Sequence, residues 1–205
     1  MVERKVFLGY LNREFSSNPS SDFQPYKNKL KSCENLLSSS LFLFHDIMIL
    51  YYESLTEGID PHHLLSGVLE LLKPWPIGED VFFIPMTNIF HYNRPINEEH
   101  WRKRDIVPQP QGLLARVKPD MLSSYIYYHY ILQETITKER DKYGAIYLMG
   151  DYLFFYRELS GEIEFPTYQG KVNGVIPGNW KALMNEHFVF WENEQEPWCK
   201  MEILI

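Results

Sequence analysis

The chain has 205 residues, 27 of them acidic and 20 basic, for a net charge of −7. With 45% hydrophobic and 16% aromatic residues it can bury a substantial core and lies outside the disordered class. The negative balance and the scattered Lys and Arg argue against nucleic-acid binding, because a phosphate backbone needs a local basic stripe. Cys33 and Cys199 have neither C-x-x-C spacing nor a His/Cys cluster, so neither a zinc site nor a disulfide framework is expected. No apolar run approaches the roughly 18 residues of a spanning helix, and the first residues lack an apolar leader. A cytosolic, cytoplasmic protein without membrane association is the expectation.

In chain order, Val6 to Leu11 reads as a strand. Phe23 to Leu37 is a helical candidate, with Asp22 as N-cap or N-terminal charge. "LFHDIMILYYESL", Leu43 to Leu55, reads as strand, tight turn, strand; Asp46 at the reversal can bond the local backbone. A second helix is expected over His62 to Leu72, leading to Pro74-Trp75, and then a closing strand within Val81 to Phe90. Asn93 to Gly112 is Pro-rich and charged without a sustained period, as a surface linker would be.

The order then recurs. Leu113 to Val117 reads as a strand, and Leu122 to Tyr143 as a helix following Asp120, with Tyr125, His129 and Leu132 at three- and four-residue spacing. "LMGDYLFFYREL", Leu148 to Leu159, is a second hairpin turning at Gly150-Asp151. A helix is expected over Asn179 to Trp191, leading to Pro197-Trp198, and a closing strand within Cys199 to Ile205. Ser160 to Gly178 is a long Gly/Pro-containing insertion, and long irregular loops are uncommon unless disordered or functional. It is a candidate lid.

The two hairpins superpose without a gap at an offset of 148 − 43 = 105 residues. Asp46 falls on Asp151, Tyr51 on Tyr156 and Glu53 on Glu158. The predicted fold is α+β, a tandem duplication of the ferredoxin-like β-α-β-β-α-β unit. The repeats cover residues 1–92 and 113–205, joined by a linker at 93–112. A four-stranded sheet with helices on one face leaves its other face apolar, so the two sheets are expected to pack on each other.

The second repeat resembles the L-rhamnose mutarotase family of the wider dimeric α+β barrel group. The matching stretches are "VKPD", Tyr125 and His129 four residues apart, "KYGAIYL", "DYLFFYRE", "NWKALM" and "MEILI". The resemblance implies a barrel made here within one chain, binding a sugar in the sheet. It implies His129 as acid/base opening and closing a pyranose ring, and Tyr125, Tyr143 and Trp180 as sugar contacts. Where that family has Trp-Pro-Glu after the histidine, this chain has Leu132-Gln133-Glu134.

Read from the residues themselves, Tyr125 and His129 project from one helical face, and a histidine titrating near neutral pH suits proton transfer. The bland alternative is that His129 packs in the helix-sheet layer, bonded to a backbone carbonyl. Tyr147, Trp180, His187 and Trp191 could wall a sugar site, aromatic faces being suited to the C–H side of a pyranose, or belong to an aromatic core. Glu158 and its repeat mate Glu53 could supply a second carboxylate, although solvated strand ends account for both. His45 beside Asp46 is explained by the turn. No metal-ligand spacing, G-x-G-x-x-G, P-loop or G-x-S-x-G occurs, so neither metal nor cofactor is expected.

The leading expectation is therefore a sugar isomerase acting on a small-molecule ligand, as a monomeric pseudo-dimer or a further homodimer. A non-catalytic binding module and a cofactor-independent oxygenase taking a planar phenolic substrate are the alternatives.

Overall fold

The structure, a computed structural model, describes residues 2–103, 107–159, 161–167, 170, 172 and 174–205. The elements run β1 (Glu3–Leu11), α1 (Pro19–Lys31), β2 (Leu36–Phe44), β3 (Ile47–Ser54), α2 (Pro61–Leu64), a 3₁₀ segment (Ser66–Leu71), β4 (Leu72–Lys73) and β5 (Ile84–Pro85). Then follow β6 (Thr87–His91), α3 (Glu98–Trp101), β7 (Pro110–Val117), α4 (Leu122–Thr135), β8 (Arg140–Asp141), β9 (Ala145–Met149) and β10 (Tyr152–Glu158). The series closes with β11 (Ile163–Glu164), α5 (Trp180–Asn185), β12 (Phe188–Val189), β13 (Cys199–Lys200) and β14 (Glu202–Ile203).

Two compact units emerge. Unit 1 holds Met1–Met86, Pro95–Ile106 and Met201–Ile205; unit 2 holds Thr87–Arg94 and Val107–Lys200. The antiparallel sheet of unit 1 has the order β14-β2-β3-β1-β4, with β5 also on β1. The sheet of unit 2 has the order β12-β7-β10-β9-β6, with β13 also on β7. Within each, the closing, first, third and second strands lie side by side, as the ferredoxin-like unit requires. The α+β duplication expected from the 105-residue offset is the architecture found.

The closing strands behave differently from a simple tandem repeat. Each breaks in two: β5 pairs its own first strand, then the chain crosses and β6 pairs β9 of unit 2. Likewise β13 pairs β7, and β14 crosses to pair β2 of unit 1. Each six-stranded sheet therefore ends on a strand donated by the other half of the sequence.

The hairpins form where expected, β2 against β3 and β9 against β10. β3, with the sequence IMILYYES, is buried at every residue, which explains why its apolar run does not alternate. His45 (φ 54°) and Gly150 (φ 60°), equivalent positions of the repeat, both occupy the left-handed region at the reversal. A non-glycine residue there is strained. His45→Gly is expected to raise stability by about 0.5–1 kcal/mol, the strain relieved less the entropy of glycine, read from a denaturant midpoint.

Helix boundaries moved. Asn18, not Asp22, caps α1, and Asp22 instead accepts a hydrogen bond from Ser16 (2.6 Å). The helix expected over His62–Leu72 is one turn capped by Asp60 and then the 3₁₀ segment. α4 stops at Thr135 because Ile136 turns extended, and α5 spans only Trp180–Asn185. The stretch expected as a surface linker carries α3, capped by Asn97, and buries Trp101 completely in unit 1.

The candidate lid, Ser160–Gly178, includes Ser160, Tyr168, Gln169, Lys171 and Asn173, which lie outside the described residues. Its first part is tied down. β11 pairs β8, the buried Lys142 ammonium reaches Glu162 (3.6 Å) and Glu164 (3.8 Å), and Asn93 accepts from the Thr167 amide (2.8 Å). No helix among the described residues is long and apolar enough to cross a membrane.

Candidate functional site

In unit 2 the helices cover one face of the sheet. Strand alternation points Phe90, Ala115, Val117, Ile146, Leu153 and Phe155 toward them, where they meet Tyr125, Met184 and Phe188. The layer does not close completely. A cavity of about 250 Å³ remains, walled by Phe90, Tyr92, Tyr125, His129, Phe155, Trp180 and Trp198, with Lys181, Asn185 and Glu196 also on its lining.

His129 sits in this wall at 6% exposure. Its Nδ1 donates to the Tyr125 carbonyl (2.9 Å), since a carbonyl can only accept, so in the neutral ring Nε2 keeps its lone pair. The ring is boxed by Tyr125 (centroids 4.1 Å apart), Trp180 (5.2 Å) and Phe90 (5.4 Å). Burial lowers its pKa to about 4, outweighing the carbonyl bond that favours the charged form; His187 also lowers it. Both earlier views of the residue thus meet: it is bonded to backbone in the helix-sheet layer, and it lines a cavity. It is neutral at physiological pH, not poised near neutrality.

This shift has a signed consequence. The unfolded chain takes up a proton near pH 6.5, whereas the folded chain resists until about pH 4. Stability on this account is full above pH 6.5 and falls as the pH drops from 6.5 to 4, by a limit of roughly 3 kcal/mol. His129→Leu is expected to remove that part of the slope; proton NMR titration of the ring reads the pKa itself.

Tyr125 is 1% exposed, and burial holds its phenol well above the ordinary value, with Tyr92 adding to the rise. The Tyr92 ring in turn packs close against Gly144. A Cβ there would come within 2.5 Å of the Tyr92 ring, so glycine is what lets Tyr92 reach the cavity. Gly144→Ala is expected to displace Tyr92 and narrow the site, costing about 1–3 kcal/mol in stability by overpacking.

The structure brings Tyr125, His129 and Trp180 onto one cavity, with His187 outside its lining but beside Tyr125 (ring centroids 6.0 Å apart), and leaves the other candidates elsewhere in unit 2. Tyr143 donates to Glu162 (2.6 Å). Tyr147 is buried on the sheet face opposite Ile146. The His187 ring bridges Ser124 (2.8 Å) and the Leu183 carbonyl (2.9 Å). Trp191 stacks on Tyr152, with Arg116 against both rings. Glu158 lies on the face opposite Phe155, at 5% exposure, accepting from Tyr156 (2.7 Å).

Glu158 and Glu53 are therefore not solvated strand ends. Glu53 is fully buried in unit 1, accepting from Tyr51 and Arg102 (Nε to Oε2, 2.5 Å), with Arg4 3.9 Å away. Tyr51-x-Glu53 repeats as Tyr156-x-Glu158, a pattern the offset contains.

Phe90 and Tyr92 escaped the sequence argument because they arrive on and after the exchanged strand β6, outside residues 113–205. Their alternation in "IFHY" was the available signal. Among the described residues no group of three His, Cys, Asp or Glu is placed to hold a metal ion.

No protein-family model matches the chain, and no curated protein matches it. Among solved structures, one from Fusobacterium nucleatum subsp. nucleatum, provisionally described as a monooxygenase, aligns at 9% identity with a TM-score of 0.44. It covers 100% of this chain and 92% of its own. An anthrone oxidase-like protein aligns at 7% identity with a TM-score of 0.38, over 78% of this chain and 73% of its own. Neither is described as a sugar isomerase, and likenesses this distant leave activity to be argued from the site.

Proposed function

We propose that unit 2 binds a compact, mainly apolar molecule carrying a hydroxyl group. The observation that carries this is His129, which lines a cavity walled mainly by aromatic and aliphatic side chains and whose neutral ring, bonded through Nδ1, keeps an acceptor lone pair at Nε2. Such a cavity gains from apolar surface removed from water, and one fixed acceptor orients the guest. A hexose suits it poorly: most of its hydroxyls would lose water without finding partners, each at a cost of about 1–3 kcal/mol.

The test compares 2-naphthol with naphthalene by quenching of Trp180 and Trp198 fluorescence. His129→Leu is expected to weaken naphthol about tenfold and to leave naphthalene nearly unchanged, since only the hydroxyl meets Nε2. Equal losses for both would refute the assignment. L-Rhamnose and common hexoses are expected neither to bind nor to exchange anomers faster.

The same lone pair favours a second reading, cofactor-independent oxygenation. Nε2, whose conjugate acid has a pKa of about 4, would take the proton only of an unusually acidic hydroxyl, and the resulting electron-rich anion, paired with the imidazolium, would react with dioxygen. Oxygen uptake with a bound phenol, abolished in His129→Leu, separates this reading from binding alone.

A further inference from the structure

Charge enters the lining of the unit 2 cavity at one place. Lys181 and Glu196 form an ion pair (3.3 Å) whose side chains are 77% and 66% exposed, so it marks the shallow, solvent-facing part of the site. The buried lining is Phe90, Tyr125, His129, Ile146, Met184 and Phe188. The site therefore has an apolar body and a charged rim.

The two rim charges are held differently. Lys181 stands on α5, and Asn185 follows one turn later on the same face, also against the cavity. Glu196 comes from an irregular segment just before Pro197. The cation thus stands on a helix and the carboxylate on an irregular segment. An exposed pair of this kind contributes only about 0–1 kcal/mol, so its carboxylate is readily exchanged for another. Lys181 offers three N–H donors and Asn185 two, a set that suits the oxygens of a carboxylate.

We propose that the cavity takes a carboxylate-bearing ligand, its apolar body inside and its carboxylate held at the rim by Lys181 and Asn185 in place of Glu196. This rests on the cavity being a ligand site, as argued above, and adds the head group. The hydroxyl facing His129 and the carboxylate facing Lys181 would then mark opposite ends of one molecule.

The experiment measures affinities of 2-naphthoate, 2-naphthamide and 2-naphthylmethylamine, three probes with one apolar body, by tryptophan quenching at low salt. In the wild type the carboxylate is expected to bind at least fivefold tighter than the amide, and the ammonium weakest. Glu196→Gln removes the competitor and should tighten naphthoate two- to fivefold without altering naphthamide. Lys181→Gln should erase the preference for acid over amide.

Equal affinity for acid and amide in the wild type, tighter binding of the ammonium, or a preference that survives Lys181→Gln each overturns the proposal. If naphthol and naphthamide bind but naphthoate gains nothing, the carboxylate assignment falls and the ligand site stands. If no naphthalene derivative binds at millimolar concentration, both fall together.

Discussion

Glu53→Ala is expected to cost about 3–5 kcal/mol, because it strips from between the buried guanidinium groups of Arg4 and Arg102 a carboxylate that both lie against. The side chains of Glu53, Arg4 and Arg102 are 0%, 8% and 11% exposed, so water does little to screen the loss. The Arg4 guanidinium also lies over the Trp101 ring at 5.1 Å, which ties the α3 segment to β1. Urea denaturation reads the cost, and a loss under 1 kcal/mol would refute the account. Replacing the three charged groups together by apolar residues of similar volume should cost far less than Glu53→Ala alone, since desolvation offsets much of what a buried pair gains.

The same carboxylate makes stability depend on pH. Burial alone would raise its pKa, but Arg102, Arg4 and the Tyr51 hydroxyl together hold it below the usual carboxylate value. A lowered folded pKa means that the unfolded chain protonates first as acid is added. Its contribution is therefore full above the ordinary glutamate pKa of about 4.3 and is lost as the pH falls below that value. Glu53→Gln should remove this acid-side loss, at a window distinct from the 4 to 6.5 range set by His129.

Deleting residues 201–205 is expected to cost unit 1 about 5 kcal/mol or more. The deletion takes β14 from the edge of β2 and removes Leu204 (2% exposed) and Ile205 (8%) from the core containing Phe23, Leu41 and Leu43. Each buried aliphatic side chain lost contributes about 2–5 kcal/mol, against a typical total stability of about 5–15 kcal/mol. Hydrogen exchange at the Leu41 amide, bonded to the Ile205 carbonyl, should lose its protection. Ile203→Ala, at a side chain 43% exposed, is the control and should change stability by under about 1 kcal/mol.

What was legible in the sequence was local. The hairpins followed from apolar runs around Asp46 and Asp151, and the shared turn positions from the offset itself. His129, Tyr125 and Trp180 converge because a helical face and the start of the next helix bound one layer. What escaped was pairing over distance. A period of two identifies Thr87–His91 as a strand without naming its neighbour, so nothing in "TNIFH" says that it leaves unit 1 for β9. Glu53 looked solvated because a carboxylate at a strand end has the same sequence pattern whether it meets water or an arginine 49 residues further on. The pKa of His129 depends on how completely three rings from separate elements enclose it, which spacing cannot report.

The crossed closing strands also set a timetable for synthesis. From the end of β2 at Phe44 to Glu202 of β14 is 202 − 44 = 158 residues. At roughly 5–20 residues per second, the ribosome takes about 8–32 s to make that interval. Throughout it, the outer edge of β2 has no neighbour and the places of Leu204 and Ile205 are empty. The half translated first is thus the half that must wait, with an open strand edge of the kind that pairs with other chains.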